Sequence, residues 1–388
     1  MNVVDWPAFS DDEIEAVTAV LRSGRVNYWT GPHGKAFERD FSAYCGVRYG
    51  VALANGTMAL ELALRAIGIG PGDDVIVTAR SFFASASCIV ACGARPVFAD
   101  VDSDSQNITV DSLDAALTQR TRAVIAVHLA GWPCDMNGIL EYCGAKGLGV
   151  VEDCAQAHGA ALGGRPVGSW GDVAAFSFCN DKIMSTAGEG GMVVTDDESV
   201  WQSVWSYKDH GKSMQEVTRS DHPPGFQWLH ESFGTNGRMT EVQSVVGRLQ
   251  LGKLEQWSAL RQRHASTFID ILRNEPSLRV PEPPNGVRHA WYRFYCFIKP
   301  ETLGAGWDRD RVLGVLRDSG IACGSGSCPE IYREKAFEGL DSRPNSRLAV
   351  ARELGETSLM FLVDPSQSTI RIQQGAELLR TVLARARK

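Results

Sequence analysis

Between Gly171 and Asp196 the chain reads GDVAAFSFCNDKIMSTAGEGGMVVTD. Two short apolar runs, 173–178 and 192–195, have the length and the bounding residues of buried strands. The connector between them is polar and glycine-rich, and Gly188-Glu189-Gly190-Gly191 lets the backbone turn where a Cβ would clash. It carries one lysine, Lys182. A lysine held between two buried strands is poorly placed for solvation. Its amine, with an ordinary pKa of about 10.4, becomes a nucleophile through desolvation or neighbouring cations. Such lysines form Schiff bases with carbonyl compounds. The chain has 39 Lys and Arg residues, and most lysines are solvated surface groups, so the position alone does not decide.

The preceding strand sharpens the reading. Residues 148–151 form a short apolar run that ends in Glu152-Asp153-Cys154-Ala155-Gln156. An acid at the carboxyl end of a parallel strand faces the crevice where α/β proteins bind ligands. A carboxylate paired with a Schiff-base lysine points to pyridoxal phosphate, whose pyridine nitrogen stays protonated beside an Asp partner. The spacing from Asp153 to Lys182 is long enough for one helix-containing crossover to a neighbouring strand.

Elsewhere the chain alternates strand and helix signals. Ser10-Asp11-Asp12-Glu13 fits a capping box, with Ile14, Val17, Val20 and Leu21 on one helical face and Gly24 as its stop. A strand at 49–53 runs into Asn55-Gly56-Thr57 and then a helix at 58–67 stopped by Gly68. Strand, tight turn and helix together make an anion-binding arrangement, and equally a plain Asn/Thr helix cap. Further strands are expected at 74–78, 96–101 and 123–129, with a helix near 112–117. Residues 201–228, rich in aromatics, His and Pro, read as a long loop or flap. His210 within it is a substrate-contact candidate or a structural histidine. Thr240-Glu241-Val242-Gln243 caps a helical stretch over 240–272 with a stripe of Val242, Val245, Val246 and Leu249. We place a domain boundary near residue 255, giving a large α/β domain (1–255) and a smaller α+β domain (256–388). The smaller part shows a strand-like 291–298 and helices near 309–319 and 347–355. The expected large domain is a mostly parallel sheet with helices on both faces.

Several function classes are set aside by the totals. A net charge of −7 argues against nucleic acid as a main partner. The first residues lack a basic region followed by an apolar core, and no run is long enough to span a membrane. Ten cysteines without an export signal read as reduced thiols of a cytoplasmic protein. None forms a C-x-x-C, so no metal is expected. Gly211-Lys212-Ser213 lacks the upstream glycine of a P-loop, where Ser206 stands, and Gly68-Ile69-Gly70 follows a helix rather than a strand. The usual signatures of nucleotide hydrolases and nicotinamide oxidoreductases are therefore missing.

VEDCAQAHGA followed by FSFCNDKIMSTAGEGG resembles the DegT/StrS-type nucleotide-sugar aminotransferases, and the likeness extends over nearly the whole chain. It implies the pyridoxal-phosphate fold type I, the aspartate aminotransferase-like architecture. It implies a homodimer with shared active sites, acting on a nucleotide-linked keto-sugar with an amino acid donor, glutamate by analogy. Lys182 and Asp153 become the catalytic pair. Gly56, Thr57 and Ser177 fall on the positions that hold the cofactor phosphate, Phe82 on the aromatic that stacks on its ring, and Gln156 within reach of the ring hydroxyl. Asn236 matches an asparagine that reaches the phosphate in the neighbouring subunit. Tyr28, His210 and Tyr332 are substrate candidates. Residues 324–332 depart from a histidine-containing stretch of many relatives, which leaves sugar and nucleotide open. The implied pathways are surface polysaccharide and amino-sugar antibiotic synthesis. Two other readings compete: a sugar dehydratase on the same fold, in which the lysine is replaced by histidine, and a non-catalytic pyridoxal-phosphate-binding regulator.

Overall fold

The computed structural model describes residues 6–222 and 224–388. Seven strands make the central sheet: β1 (Tyr49–Leu53), β2 (Asp74–Thr78), β3 (Arg95–Ala99), β4 (Thr121–Val127), β5 (Gly149–Asp153), then β8 (Val173–Ser177) and β9 (Gly191–Thr195). Between β5 and β8 lie two short strands, β6 (Ala161–Leu162) and β7 (Arg165–Pro166). The central order is β1-β9-β8-β5-β4-β2-β3. Strand β9 is antiparallel to both its neighbours, and the other six strands run one way. Every residue of β2, β8 and β9 is buried, as befits strands covered on both faces.

This topology sets where chemistry can occur. Because six strands share a direction, their carboxyl ends share one edge. The register of β5 on β8 pairs Val151 with Val173 and Asp153 with Ala175, so Asp153 and Ser177 finish at the same rim. The β8–β9 hairpin turns back over that rim and carries Lys182. The expected helix in the crossover from β5 to β8 is not there. The antiparallel β6–β7 pair occupies it, joined by a strand from the C-terminal part, β11 (Val287–Arg288).

The C-terminal part has its own sheet, ordered β10-β12-β14-β13 from β10 (Leu278–Arg279), β12 (Phe294–Ile298), β13 (Cys323–Gly324) and β14 (Ser358–Phe361). Phe268, Phe294 and Phe361 stack at its centre, with Phe268 4.8 Å from each of the others. The helix Glu241–Leu272, 32 residues long and opened by the Thr240/Gln243 capping box, serves both parts. Leu254 packs with the first part, and Ala265, Phe268, Ile269 and Leu272 pack with the second. The expected boundary at 255 therefore falls inside one continuous helix. Residues beyond it also return to the large core, where Ile331, Tyr332, Phe337 and Leu354 pack with Phe98 and Val77.

The expected flap over 201–228 is partly helical. Glu198–Lys208 is a helix capped by Asp197, with Val200, Val204 and Trp205 buried. A shorter helix, Met214–Thr218, follows. The ten cysteines are free thiols. Among the described residues no helix is long and apolar enough to cross a membrane.

Candidate active site

The strand ends frame a cleft of roughly 570 Å³ that contains Gly56, Thr57, Phe82, Asp153, Gln156, Ser177 and Lys182 in its walls. Gly56 and Thr57 open the helix Gly56–Ala66. Asn55 caps it by accepting from the Met58 amide at 2.9 Å. An 11-residue helix aimed from the cleft leaves its first amides free for an anion. Glycine is needed there: a Cβ on Gly56 would lie 2.5 Å from the Ser177 Cβ. The close approach sets the Ser177 hydroxyl against the helix start. We expect Gly56→Ala to weaken binding of a phosphate-bearing cofactor by about 10- to 100-fold, the size of an overpacking penalty of about 1–3 kcal/mol. Titration of the cofactor-free protein by absorbance measures this, and wild-type affinity would show that the cradle is not the phosphate site.

Asp153 closes the opposite wall and is 4% exposed. Its Oδ2 accepts from the Ser85 hydroxyl at 2.8 Å and its Oδ1 from the Ala155 amide at 3.1 Å. Ser85 has one hydrogen, used on Asp153, so Ser81, 2.9 Å away, donates to Ser85. Burial pushes the Asp153 carboxyl above its ordinary value despite these two donors. No cation touches it among the described residues. It is a buried carboxyl in the cleft wall.

Its neighbour Glu152 lies buried in a separate network. It accepts from the amides of Gly168, Trp170 and Gly171 at 2.9, 2.7 and 2.9 Å, and pairs with His128 Nε2 at 3.0 Å. Burial raises this carboxyl, but His128 and the backbone amides outweigh it and hold it below the usual range. His128 Nδ1 accepts from the Cys134 amide, which puts the ring hydrogen on Nε2. Among the described residues His128, Glu152 and Cys154 come near enough to share a metal ion. Both ring nitrogens and both carboxylate oxygens already have partners, so the cluster is structural.

Gln156 lines the cleft and accepts from the Ala130 amide at 2.8 Å, holding Ala130 in a left-handed conformation (φ 57°). Phe82 is 64% exposed, a large flat surface turned to the cleft. Such a ring suits stacking on a second flat ring. Lys182 Nζ lies 3.1 Å from Asp181 Oδ1 and 5.3 Å from the Tyr292 ring centre. Burial depresses the amine, but Tyr292 and Asp181 more than offset it and hold it above its ordinary value. The expected depression by burial or neighbouring cations is thus reversed, because the fold supplies acidic neighbours. Trp6 anchors the turn by donating to the Lys182 carbonyl at 2.7 Å.

Three groups near Lys182 escaped the sequence reading. Asp181 accepts from the Tyr292 hydroxyl at 2.5 Å and faces Arg293 at 3.8 Å. The Arg293 guanidinium stacks 4.0 Å from the Tyr292 ring centre. Ser85 was also missed. Its only local signal is its place one helical turn after Ser81.

The substrate candidates do not join the cleft. Tyr28 is 2% exposed, donates to Glu38 at 3.0 Å and lies beneath the Lys208 ammonium. Tyr332 is 3% exposed, bonded to Glu330 and accepting from the Leu348 amide at 3.0 Å. Both hydroxyls are tied into buried networks, so neither is placed to touch a ligand in the Lys182 cleft. His210 is exposed, with φ 64°, and its amide donates to the Thr235 carbonyl. Asn236 is exposed and bridged to Asp209, outside the walls of its own cleft.

Comparison with known proteins matches residues 7–377 to the DegT/DnrJ/EryC1/StrS aminotransferase family. The chain is 36% identical over 358 residues to UDP-N-acetyl-3-dehydro-alpha-D-glucosamine 3-aminotransferase of Acidithiobacillus ferrooxidans, covering 92% of this chain and 90% of that one. It is 37% identical to dTDP-3-amino-3,4,6-trideoxy-alpha-D-glucose transaminase of Streptomyces venezuelae, covering 72% of this chain and 70% of that one. Among solved structures, the aminotransferase from Psychrobacter cryohalolentis superposes with a TM-score of 0.97 at 48% identity, over 99% of both chains.

Proposed function

This chain belongs to the DegT/DnrJ/EryC1/StrS aminotransferase family, and we propose that it uses pyridoxal phosphate to move an amino group from L-glutamate to a keto carbon of a nucleotide-linked sugar. One observation carries the reading: Lys182, from the β8–β9 connector, and the buried Asp153, at the end of β5, share one cleft. The relatives named for nucleotide-sugar transamination support the substrate class.

The residues fit the cofactor. Asp153 offers a buried acceptor for a protonated ring nitrogen. The Gly56–Thr57 amides and the Ser177 hydroxyl offer donors for a phosphate, and Phe82 a face for the ring. When bound, the cofactor supplies an electron sink for the pair left by a broken C–H bond. Asp153 keeps that sink effective by stabilising the ring cation. Gln156, fixed by Ala130, is placed for a ring hydroxyl. Lys182 Nζ would hold the cofactor covalently, and its free amine would serve as the base for the donor Cα proton. In amination of the acceptor, Lys182 would return a proton to the sugar carbon.

We place Asn236 in the cleft of a second copy, in a homodimer whose two sites are shared. Its exposure and its position outside its own cleft walls support that reading. The product serves amino-sugar synthesis, with surface polysaccharide as the favoured destination.

The test is the absorption spectrum of the purified protein before and after L-glutamate. We expect a visible band that glutamate removes as the cofactor is converted to its amine form. A band indifferent to glutamate would overturn the donor assignment. No band after supply of pyridoxal phosphate would overturn the catalytic reading in favour of a binding protein.

A further inference from the structure

The following inference rests on the reading that the cleft accepts an α-amino acid as donor. Among the described residues lining it, Lys182 is the only cation, whereas Asp153, Asp181 and Glu189 are carboxylates. A donor carboxylate entering so acidic a cleft needs a compensating cation that is not Lys182, since the donor's nitrogen takes over the place of that amine. Arg293 lies behind Asp181, outside the cleft wall, where it lines a small neighbouring cavity. Its Nη2 lies 3.8 Å from Asp181 Oδ2 and 3.4 Å from the Tyr292 hydroxyl.

Asp181 occupies an informative position. One oxygen is 3.1 Å from Lys182 Nζ, and the other faces Tyr292 and Arg293. In any α-amino acid, the bonds from N to Cα and from Cα to C hold the nitrogen about 3 Å from its nearer carboxylate oxygen. An amino acid whose nitrogen replaces Lys182 Nζ can therefore reach the place Asp181 now fills with its own carboxylate. We propose that Arg293, with the Tyr292 hydroxyl, forms the α-carboxylate subsite for the amino donor, and that Asp181 is a stand-in displaced when the donor binds.

The local structure suits exchange. The Asp181 side chain is 51% exposed, so it can leave for solvent without burying its charge. The Arg293 side chain is 13% exposed and held in place, stacked on Tyr292 and donating through Nη1 to the Tyr292 carbonyl at 2.9 Å. A guanidinium fixed in this way presents a planar fork to a carboxylate, which a lysine cannot reproduce. The keto-sugar has no carboxylate at the reacting carbon, so the subsite acts on the donor and not on the acceptor.

The experiment uses the protein loaded with pyridoxal phosphate and compares wild type, Arg293→Gln and Arg293→Lys. The binding probe is α-methyl-L-glutamate, which has no Cα hydrogen to lose and reports occupancy through the visible band without turnover. Arg293→Gln should raise the half-saturating concentration of the probe, and the KM for glutamate, by about 10- to 100-fold, the loss of a charge-assisted pair. Arg293→Lys should fall between, because charge without the fork restores part of the binding. The KM for the sugar should move far less than that for glutamate. If wild type responds to the probe and both variants saturate at the wild-type concentration, the subsite is refuted. Equal weakening toward probe and sugar would also refute it, since Arg293 would then be a general support. Should wild type itself show no response to glutamate or to the probe, the amino-donor reading fails first, and the subsite with it.

Discussion

Lys182→Ala is expected to leave a folded protein that no longer turns over. The residue contributes little to stability. Its ion pair with a half-exposed Asp181 is of the kind worth about 0–1 kcal/mol, and Asp181 retains Tyr292 and Arg293 as partners. The catalytic loss is of another order. In the proposed function Nζ is the covalent anchor, and among the described residues it is the one amine in the cleft walls, so the variant would lack both the anchor and the base that moves the Cα proton. General-base loss alone accounts for about 10²- to 10⁴-fold, and loss of the anchor adds to it. Lys182→Arg separates chemistry from charge. It keeps a cation beside Asp181 but cannot be deprotonated, and should be as inactive as the alanine variant. Methylamine should restore part of the activity to Lys182→Ala and none to Lys182→Arg. The measurements are turnover, unfolding temperature and the visible spectrum. Multiple turnovers by either variant without added amine would remove Lys182 from its role.

What could be read from the sequence was whatever the chain writes locally. Residues 173–178 and 192–195 are apolar runs bounded by polar residues, and both become strands of the sheet. Asp153 and Lys182 each follow closely on such a run, so the sheet edge carries both to the cleft. Ser177 ends a strand, and Gly56 and Thr57 open the helix that follows one, for the same reason. The structure diverges where distant segments meet. Asp181 and Tyr292 are 111 positions apart, and Ser85 and Asp153 are 68 apart, with no local pattern to announce either pair. The reversed shift of Lys182 comes from those same unannounced neighbours. The family resemblance points to Tyr28 and Tyr332 by position alone, but each has a nearby acid, Glu38 or Glu330, that draws its hydroxyl into a buried network. The flap expected over 201–228 begins inside the helix Glu198–Lys208, whose aromatic and polar residues blur the apolar stripe of Val200, Val204 and Trp205. The crossover after β5 shows the limit most plainly. Its length allowed a helix, and the glycines at 163 and 164, both with positive φ, make a hairpin instead.

Asp153→Asn should have opposite effects on activity and on the stability of the cofactor-free protein. Burial raises the Asp153 carboxyl above 3.8, its ordinary value. A carboxyl whose folded value is raised adds stability below the unfolded value and loses it as pH rises through the folded one. Wild type therefore loses stability as pH rises, a loss that a neutral side chain in the same place does not suffer. Asparagine keeps the shape without the charge. Its oxygen can accept one of the two existing donors, and Ser85 can rotate its hydroxyl to receive the new amide hydrogen. The cofactor-free variant should then show a higher urea midpoint than wild type at pH 8, the gap closing as pH falls toward 3.8. Pyridoxal phosphate should reverse the order. A ligand stabilises most the form that binds it more tightly, and the ring cation is compensated by the Asp153 carboxylate but not by a neutral amide in its place. Turnover should fall by at least about 100-fold, as when a single electrostatic group is removed from a closed site. The destabilising charge would then be the same one that activates the cofactor, a stability cost retained for function. A cofactor-free Asp153→Asn protein less stable than wild type at pH 8 would mean that the buried carboxylate is already compensated. Its role as the partner of a ring cation would then lose its physical basis.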